Sequence, residues 1–211
     1  MAVYLDSAIV EEARQAAGLG FVAGVTTNPS LIARTGRPAE AIIRDLCDQG
    51  FAEVFYQVVQ RPGSALDEEV ARLRSIGPEQ IVFNMPCTLE YLKTVAALAD
   101  RDLACGVTGV FSPAQAVLAA EAGAEVVIPY VNRAMRLLPG GGLQLVSRIA
   151  QVLQSTACQV LAASLKSPEE VVDTLLAGSH HVSVPWTVLV AMAHHDLTEQ
   201  AIAEFGRAAG T

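Results

Sequence analysis

The chain has 211 residues, 52% of them apolar and only 5% aromatic, and carries a formal net charge of −8. That length suits one folded unit with a large aliphatic core, so a single domain over residues 1–211 is expected. The negative charge argues against a nucleic-acid partner, because phosphate backbones are held by basic faces; no apolar run approaches the roughly 20 residues that span a bilayer, so no membrane partner is expected either.

The first residues, Met1-Ala2-Val3-Tyr4-Leu5-Asp6, lack a basic region and reach an acid at once, so they are not read as a signal peptide and a cytoplasmic location is expected. From there, short apolar runs alternate with helical stretches. Strands are predicted to begin at Val3, Phe21, Glu53, Gln80, Leu103, Glu125, Cys158 and His181. Several are apolar throughout, as in Val126-Val127-Ile128, the pattern of a strand covered on both faces. Amphipathic helices are predicted over 37–49, on Ile42, Ile43 and Leu46, and over 63–75, on Leu66, Val70 and Leu73. Thr88 is predicted to cap a helix to Ala99, and Ser112-Pro113 and Ser167-Pro168 each place a cap before a first-turn proline. Gly140-Gly141-Gly142 reads as a loop before a helix from Leu143 to Leu153. Asp196-x-x-Glu199 reads as a capping box opening a last helix to about Ala209.

Eight strand-then-helix units fit either a (β/α)8 barrel or an open doubly wound sheet. No G-x-G-x-x-G follows the first strand, and the strand count suits closure, so the α/β class with a (β/α)8 TIM barrel is expected. The four cysteines, Cys47, Cys87, Cys105 and Cys158, have no metal-ligand spacing and read as reduced thiols. Of the four histidines only His181 begins a strand, at the end of a barrel remote from its active site, so no metal and no other cofactor is expected.

In such a barrel the active site forms at the C-terminal ends of the strands. Those ends carry Asp6, Thr26-Thr27-Asn28, Gln57, Asn84, Thr108, Tyr130 with Arg133, Ser164 and Ser183. Buried polar groups without partners cost on the order of 1–3 kcal/mol each, so this ring points to a ligand. Arg133 offers a charged fork for phosphate, and Ser164 precedes the predicted helix start at Ser167-Pro168, where backbone amides favour anions. Asp6, Asn28, Gln57 and Thr108 can bind hydroxyls and carbonyls, while Tyr130 can act as a general acid or orient a water. The chemistry is that of a polyhydroxylated, anionic small molecule.

Four segments carry a family resemblance: Ala23-Gly24-Val25-Thr26-Thr27-Asn28-Pro29-Ser30-Leu31-Ile32, Pro129-Tyr130-Val131-Asn132-Arg133, Val160-Leu161-Ala162-Ala163-Ser164 followed by Lys166, and His195-Asp196-Leu197-Thr198. Through them nearly the whole chain resembles the small transaldolases and fructose-6-phosphate aldolases. The resemblance implies a (β/α)8 barrel acting on a sugar phosphate. It implies that Asp6 transfers protons, that Thr26 and Asn28 hold donor hydroxyls, and that Gln57, Thr108 and Tyr130 place a catalytic water. It assigns the acceptor phosphate to Arg133 and Ser164. It also implies a homo-oligomer, a pentamer or decamer, with the last helix reaching a neighbour.

One position departs from that pattern. The family's Schiff-base lysine aligns with Asn84, in Ile81-Val82-Phe83-Asn84-Met85-Pro86-Cys87, where Phe83, Met85 and Cys87 also differ from the usual residues. An amide cannot form an imine, which is the electron sink of the family's carbon–carbon cleavage. The only lysines are Lys93 and Lys166. Three functions therefore remain open: a lysine-independent enzyme in which Asp6, Asn84 and Tyr130 handle protons and polarise a carbonyl, an ordinary aldolase working through Lys166, or a non-catalytic sugar-phosphate-binding barrel.

Overall fold

Eight short strands pair in parallel and in chain order until the first meets the last, closing a barrel. The computed structural model describes residues 1–209. The strands are β1 (Ala2–Asp6), β2 (Val22–Thr26), β3 (Glu53–Gln57), β4 (Ile81–Pro86), β5 (Cys105–Val110), β6 (Val126–Pro129), β7 (Gln159–Ala162) and β8 (His181–Val184). Helices fill every crossover: α1 (Val10–Gly18), α2 (Pro29–Arg34), α3 (Ala39–Cys47), α4 (Ser64–Arg74), α5 (Leu89–Ala99), α6 (Pro113–Glu121), α7 (Val131–Leu137), α8 (Gly141–Leu153) and α9 (Pro168–Leu176). Two more, α10 (Trp186–Met192) and α11 (Asp196–Ala209), follow the last strand. The expected (β/α)8 barrel is the fold.

Alternation along each strand divides the apolar residues into two cores. Tyr4, Phe55, Val82, Val126, Ile128 and Leu161 point inward and plug the barrel, with Tyr4 packed edge-on against Phe55. Leu5, Val25, Phe83, Met85, Val107, Val127 and Val182 point outward into the layer between strands and helices. The Tyr4 hydroxyl donates to Glu53 Oε2 at 2.6 Å beneath the plug.

Several local signals act as the sequence predicts. Ser112 and Ser167 accept hydrogen bonds from Gln115 N and Glu170 N, each ahead of a first-turn proline. Others differ. Gly141 and Gly142 lie inside α8, which opens at Gly141, directly after the left-handed Gly140 (φ +87°); Gly141 also has a positive φ (+71°). Asp196 is the first helical residue of α11 and does not cap it; His195 does, its Nδ1 accepting from Leu197 N at 3.1 Å. Strands open one or two residues after the predicted start at Phe21, Gln80, Leu103, Glu125 and Cys158, and one residue before it at Val3, within the usual uncertainty of element ends. The cysteines are free, and burial pushes Cys47 and Cys158 up to about 11 and Cys105 up to about 12, so these three stay thiols at neutral pH.

A buried acid fixes the loop after β3. Glu69, on α4 and only 4% exposed, accepts from the Tyr56 hydroxyl at 2.7 Å and from Val59 N and Gln60 N, both at 3.1 Å. The α11 helix is the opposite case. None of its described residues is buried, and Leu197, Ile202 and Phe205 stand exposed, Phe205 by 71%.

Candidate active site

At the C-terminal ends of the strands lies a cavity of about 490 Å³, lined by Asp6, Thr26, Asn28, Gln57, Asn84, Thr108, Tyr130, Arg133 and Ser164. Of the strand-end ring read from the sequence, all but Ser183 line this one cavity; Ser183 is buried and hydrogen-bonds Thr26. Register explains how. Asp6 pairs with Thr26 on β2, Gln57 with Asn84 on β4, and Asn84 with Gly106 on β5, so inward side chains fall at one height.

Asp6 is held by a chain of hydroxyls. Thr26 Oγ1 lies 3.2 Å from Asp6 Oδ1 and 2.5 Å from the hydroxyl of Ser183, which is itself buried. With Thr26 donating to the carboxylate, Ser183 donates to Thr26. Burial pushes the Asp6 carboxyl above the ordinary carboxylate range; the Thr26 hydrogen bond and the positive charge of Lys166 partly offset that rise. A carboxyl whose charged form is disfavoured in this way holds a proton more readily than an ordinary aspartate, which suits acid–base work.

Asn84 is the least expected part of the site. It is only 4% exposed, and its Oδ1 has no hydrogen-bond partner among the described residues. Orphan buried polar atoms are uncommon and point to a role or a ligand. Gly106 makes room for it: a Cβ at that position would collide with Asn84 Oδ1 and come within 3.2 Å of Val126 Cγ2. Gly106→Ala is therefore expected to displace the amide and destabilise the barrel by about 1–3 kcal/mol. In chemical denaturation Asn84→Ala should recover most of that loss, and an additive double variant would contradict the contact.

Phe83 and Met85 are buried, 1% and 0% exposed, but belong to the outer core on the opposite face of β4. Neither side chain therefore forms part of the walls of the cavity. Cys87 sits beyond the strand, its thiol 3.8 Å from Gln115 O.

Across from Asp6, the Thr108 and Tyr130 hydroxyls are 2.7 Å apart, a pair able to bind one water or hydroxyl between them. The Arg133 guanidinium lies 5.0 Å over the Tyr130 ring, which holds it at the rim. Ser164 adopts a left-handed conformation (φ +62°), and its carbonyl accepts from Asn132 N at 3.2 Å. Asn28 contributes less than its residue type suggests. It caps α2, its Oδ1 accepting from Ser30 N and Leu31 N at 3.1 Å, so only its amide nitrogen is left for a ligand. The Asn28-Pro29 pair carried this cap signal in the sequence.

Glu170 went unnoticed in the sequence. Its Oε1 accepts from Asn132 Nδ2 and its Oε2 from Lys166 N, both at 2.8 Å, so it ties the loop of Arg133 to the loop of Ser164. The pattern Ser167-x-x-Glu170 was the available signal, since a capping box puts an acid there.

Of the two lysines, Lys93 lies exposed on α5, while Lys166 lies at the rim and lines the cavity. His181 opens β8 at the other end of the barrel, its Nε2 2.5 Å from Gln159 Oε1.

The chain is similar to known proteins over nearly its whole length. The family described as Transaldolase/Fructose-6-phosphate aldolase matches residues 3–209. A probable transaldolase of Clostridium perfringens is 36% identical over 207 residues, covering 97% of this chain and 95% of that protein. One from Desulfosudis oleivorans is 36% identical over 207 residues, covering 97% and 96%. One from Desulforudis audaxviator is 39% identical over 209 residues, covering 97% and 95%.

Proposed function

The chain belongs to the transaldolase/fructose-6-phosphate aldolase family, and on that footing we propose that it acts on a sugar-phosphate-like carbonyl compound without forming an imine. The observation that carries this reading is Asn84: a buried amide with an orphan oxygen where the resemblance puts the Schiff-base lysine. Its nitrogen lone pair is delocalised into the carbonyl, so it cannot attack a ketone. It can hydrogen-bond a substrate's carbonyl oxygen and the alkoxide or enolate that develops there.

Asp6 is then the acid–base group. It removes a proton from the carbon or hydroxyl next to the carbonyl, while Asn84 and the Thr108–Tyr130 pair hold the oxygens on which negative charge grows. Arg133 and Ser164 hold the phosphate, and Gln57 with the free nitrogen of Asn28 orients hydroxyls. These roles suit enolisation, isomerisation, dehydration or a carbon–carbon bond reaction.

A second reading is favoured by Lys166, which lines the same cavity and whose charge lowers the Asp6 pKa. Through it an ordinary aldolase or transaldolase could run. Borohydride with dihydroxyacetone, followed by intact-mass measurement, separates the two. The first reading expects no mass gain, together with solvent-deuterium exchange into dihydroxyacetone or fructose 6-phosphate. A gain that vanishes in Lys166→Ala sinks it in favour of the second. Binding of fructose 6-phosphate with neither trapping nor exchange would leave a binding barrel.

The oligomer is part of the same proposal. An amphipathic helix with no buried residue fits docking on a second copy through Leu197, Ile202 and Phe205. Sedimentation should find a pentamer or decamer, and Phe205→Glu should shift it to smaller species; a wild-type monomer would refute this.

A further inference from the structure

The mouth of the cavity carries three cations, Arg34, Arg133 and Lys166, against one acid, Asp6. This is unusual in a chain with a net charge of −8. A second cavity, of about 410 Å³ at the other end of the barrel, has the reverse balance, with Glu53 and Glu125 and no lysine or arginine in its wall. Among the described residues no carboxylate pairs with any of the three mouth cations; the arginines that have acid partners, Arg14, Arg37 and Arg72, lie elsewhere. Glu12, the other acid near Arg34, accepts from the Ser7 hydroxyl at 2.5 Å.

The three cations do not form one cluster. Arg133 follows β6 and Lys166 follows β7, beside Ser164, whereas Arg34 closes α2 after β2. In a closed eight-stranded barrel, β2 and β6 face each other across the axis. Arg34 thus lines the cavity from the β2 side, and Arg133 and Ser164 line it from the β6–β7 side. The hydroxyl-binding groups lie between the two positive poles.

We propose that the ligand is a polyhydroxylated chain with an anionic group at each end, its phosphate against Arg133 and a second anion, carboxylate or phosphate, against Arg34. This rests on the sugar-phosphate reading above and narrows the substrate class within it. A singly phosphorylated sugar leaves the β2 pole empty; a sugar bisphosphate or a phosphorylated sugar acid fills both.

Three linear six-carbon probes differ only at the far end: glucitol 6-phosphate, 6-phosphogluconate and glucitol 1,6-bisphosphate. Calorimetric titration of the full chain should show at least one doubly anionic probe binding about tenfold tighter than glucitol 6-phosphate, as a charge-assisted contact allows. Which of the two gains identifies the second anion as carboxylate or phosphate. Arg34→Gln should bring all three to within about twofold of one another, whereas Arg133→Gln should weaken all three. If glucitol 6-phosphate binds and neither other probe gains, or if the gain survives in Arg34→Gln, the two-pole proposal is overturned while the sugar-phosphate reading stands. If no probe binds the wild type, both fall. Circular dichroism of each variant guards against loss of fold.

Discussion

Asp6→Asn is expected to lose proton-transfer activity by about 10²–10⁴-fold and, at the same time, to melt at a higher temperature than the wild type at neutral pH. Both effects have one cause. Burial raises the folded-state pKa of Asp6, with Thr26 and Lys166 compensating only in part. Between the unfolded and folded values the folded state holds more protons, so stability falls as pH rises through that window. Asparagine keeps the shape and a hydrogen-bonding oxygen for Thr26 but never ionises, so it escapes that loss. The gap in melting temperature should therefore open as pH rises above the ordinary aspartate range and close below it. Thermal melts at pH 4 and pH 7, beside solvent-deuterium exchange into dihydroxyacetone, test both halves. A variant with no stability gain at pH 7 would show that the acid is adequately solvated after all.

Glu69→Ala should be the most destabilising of the substitutions considered, by about 2–4 kcal/mol, although Glu69 touches no part of the cavity. Its carboxylate satisfies three donors: the Tyr56 hydroxyl and the amides of Val59 and Gln60. Alanine leaves all three without that partner. Water can reach some of them, since Val59 is exposed, and this keeps the cost below the sum of three orphaned groups. Glu69→Gln retains one acceptor oxygen but turns an N–H toward another, so it should lose about half as much. Gln57 ends the strand just before this loop, so the same variants should weaken sugar-phosphate binding. Urea denaturation placing Glu69→Ala within about 0.5 kcal/mol of the wild type would contradict this account.

The barrel was legible because its determinants are local and repeated. Strands such as Val126-Val127-Ile128 announce burial on both faces, and Ser112-Pro113 and Ser167-Pro168 announce where helices begin. The ring of site residues was legible for a related reason: a polar residue that ends an apolar strand needs a partner, and the fold puts all such ends in one place. What could not be read are contacts between segments distant in sequence. Nothing in α4 marks Glu69 as the anchor of another loop, and nothing at Arg34 tells that it lines one cavity with Arg133. The Ser183–Thr26–Asp6 chain likewise joins residues that meet only when β8 closes on β1. At Asn28 the sequence was read only for its place in a ligand-binding ring; the cap signal of Asn28-Pro29 went unread, and the cap takes its side-chain oxygen.

The alternation of Phe83, Asn84 and Met85 has a consequence for how such a protein can change over evolutionary time. One face of β4 belongs to the coat that keeps the barrel folded and the other to the wall of the cavity. Selection on either face is nearly blind to the other. A change of side chain at position 84 need not weaken the molecule, and a new cavity wall can be tried on an intact scaffold. The limit is set next door, at Gly106, where any side chain at all would reconnect the two histories.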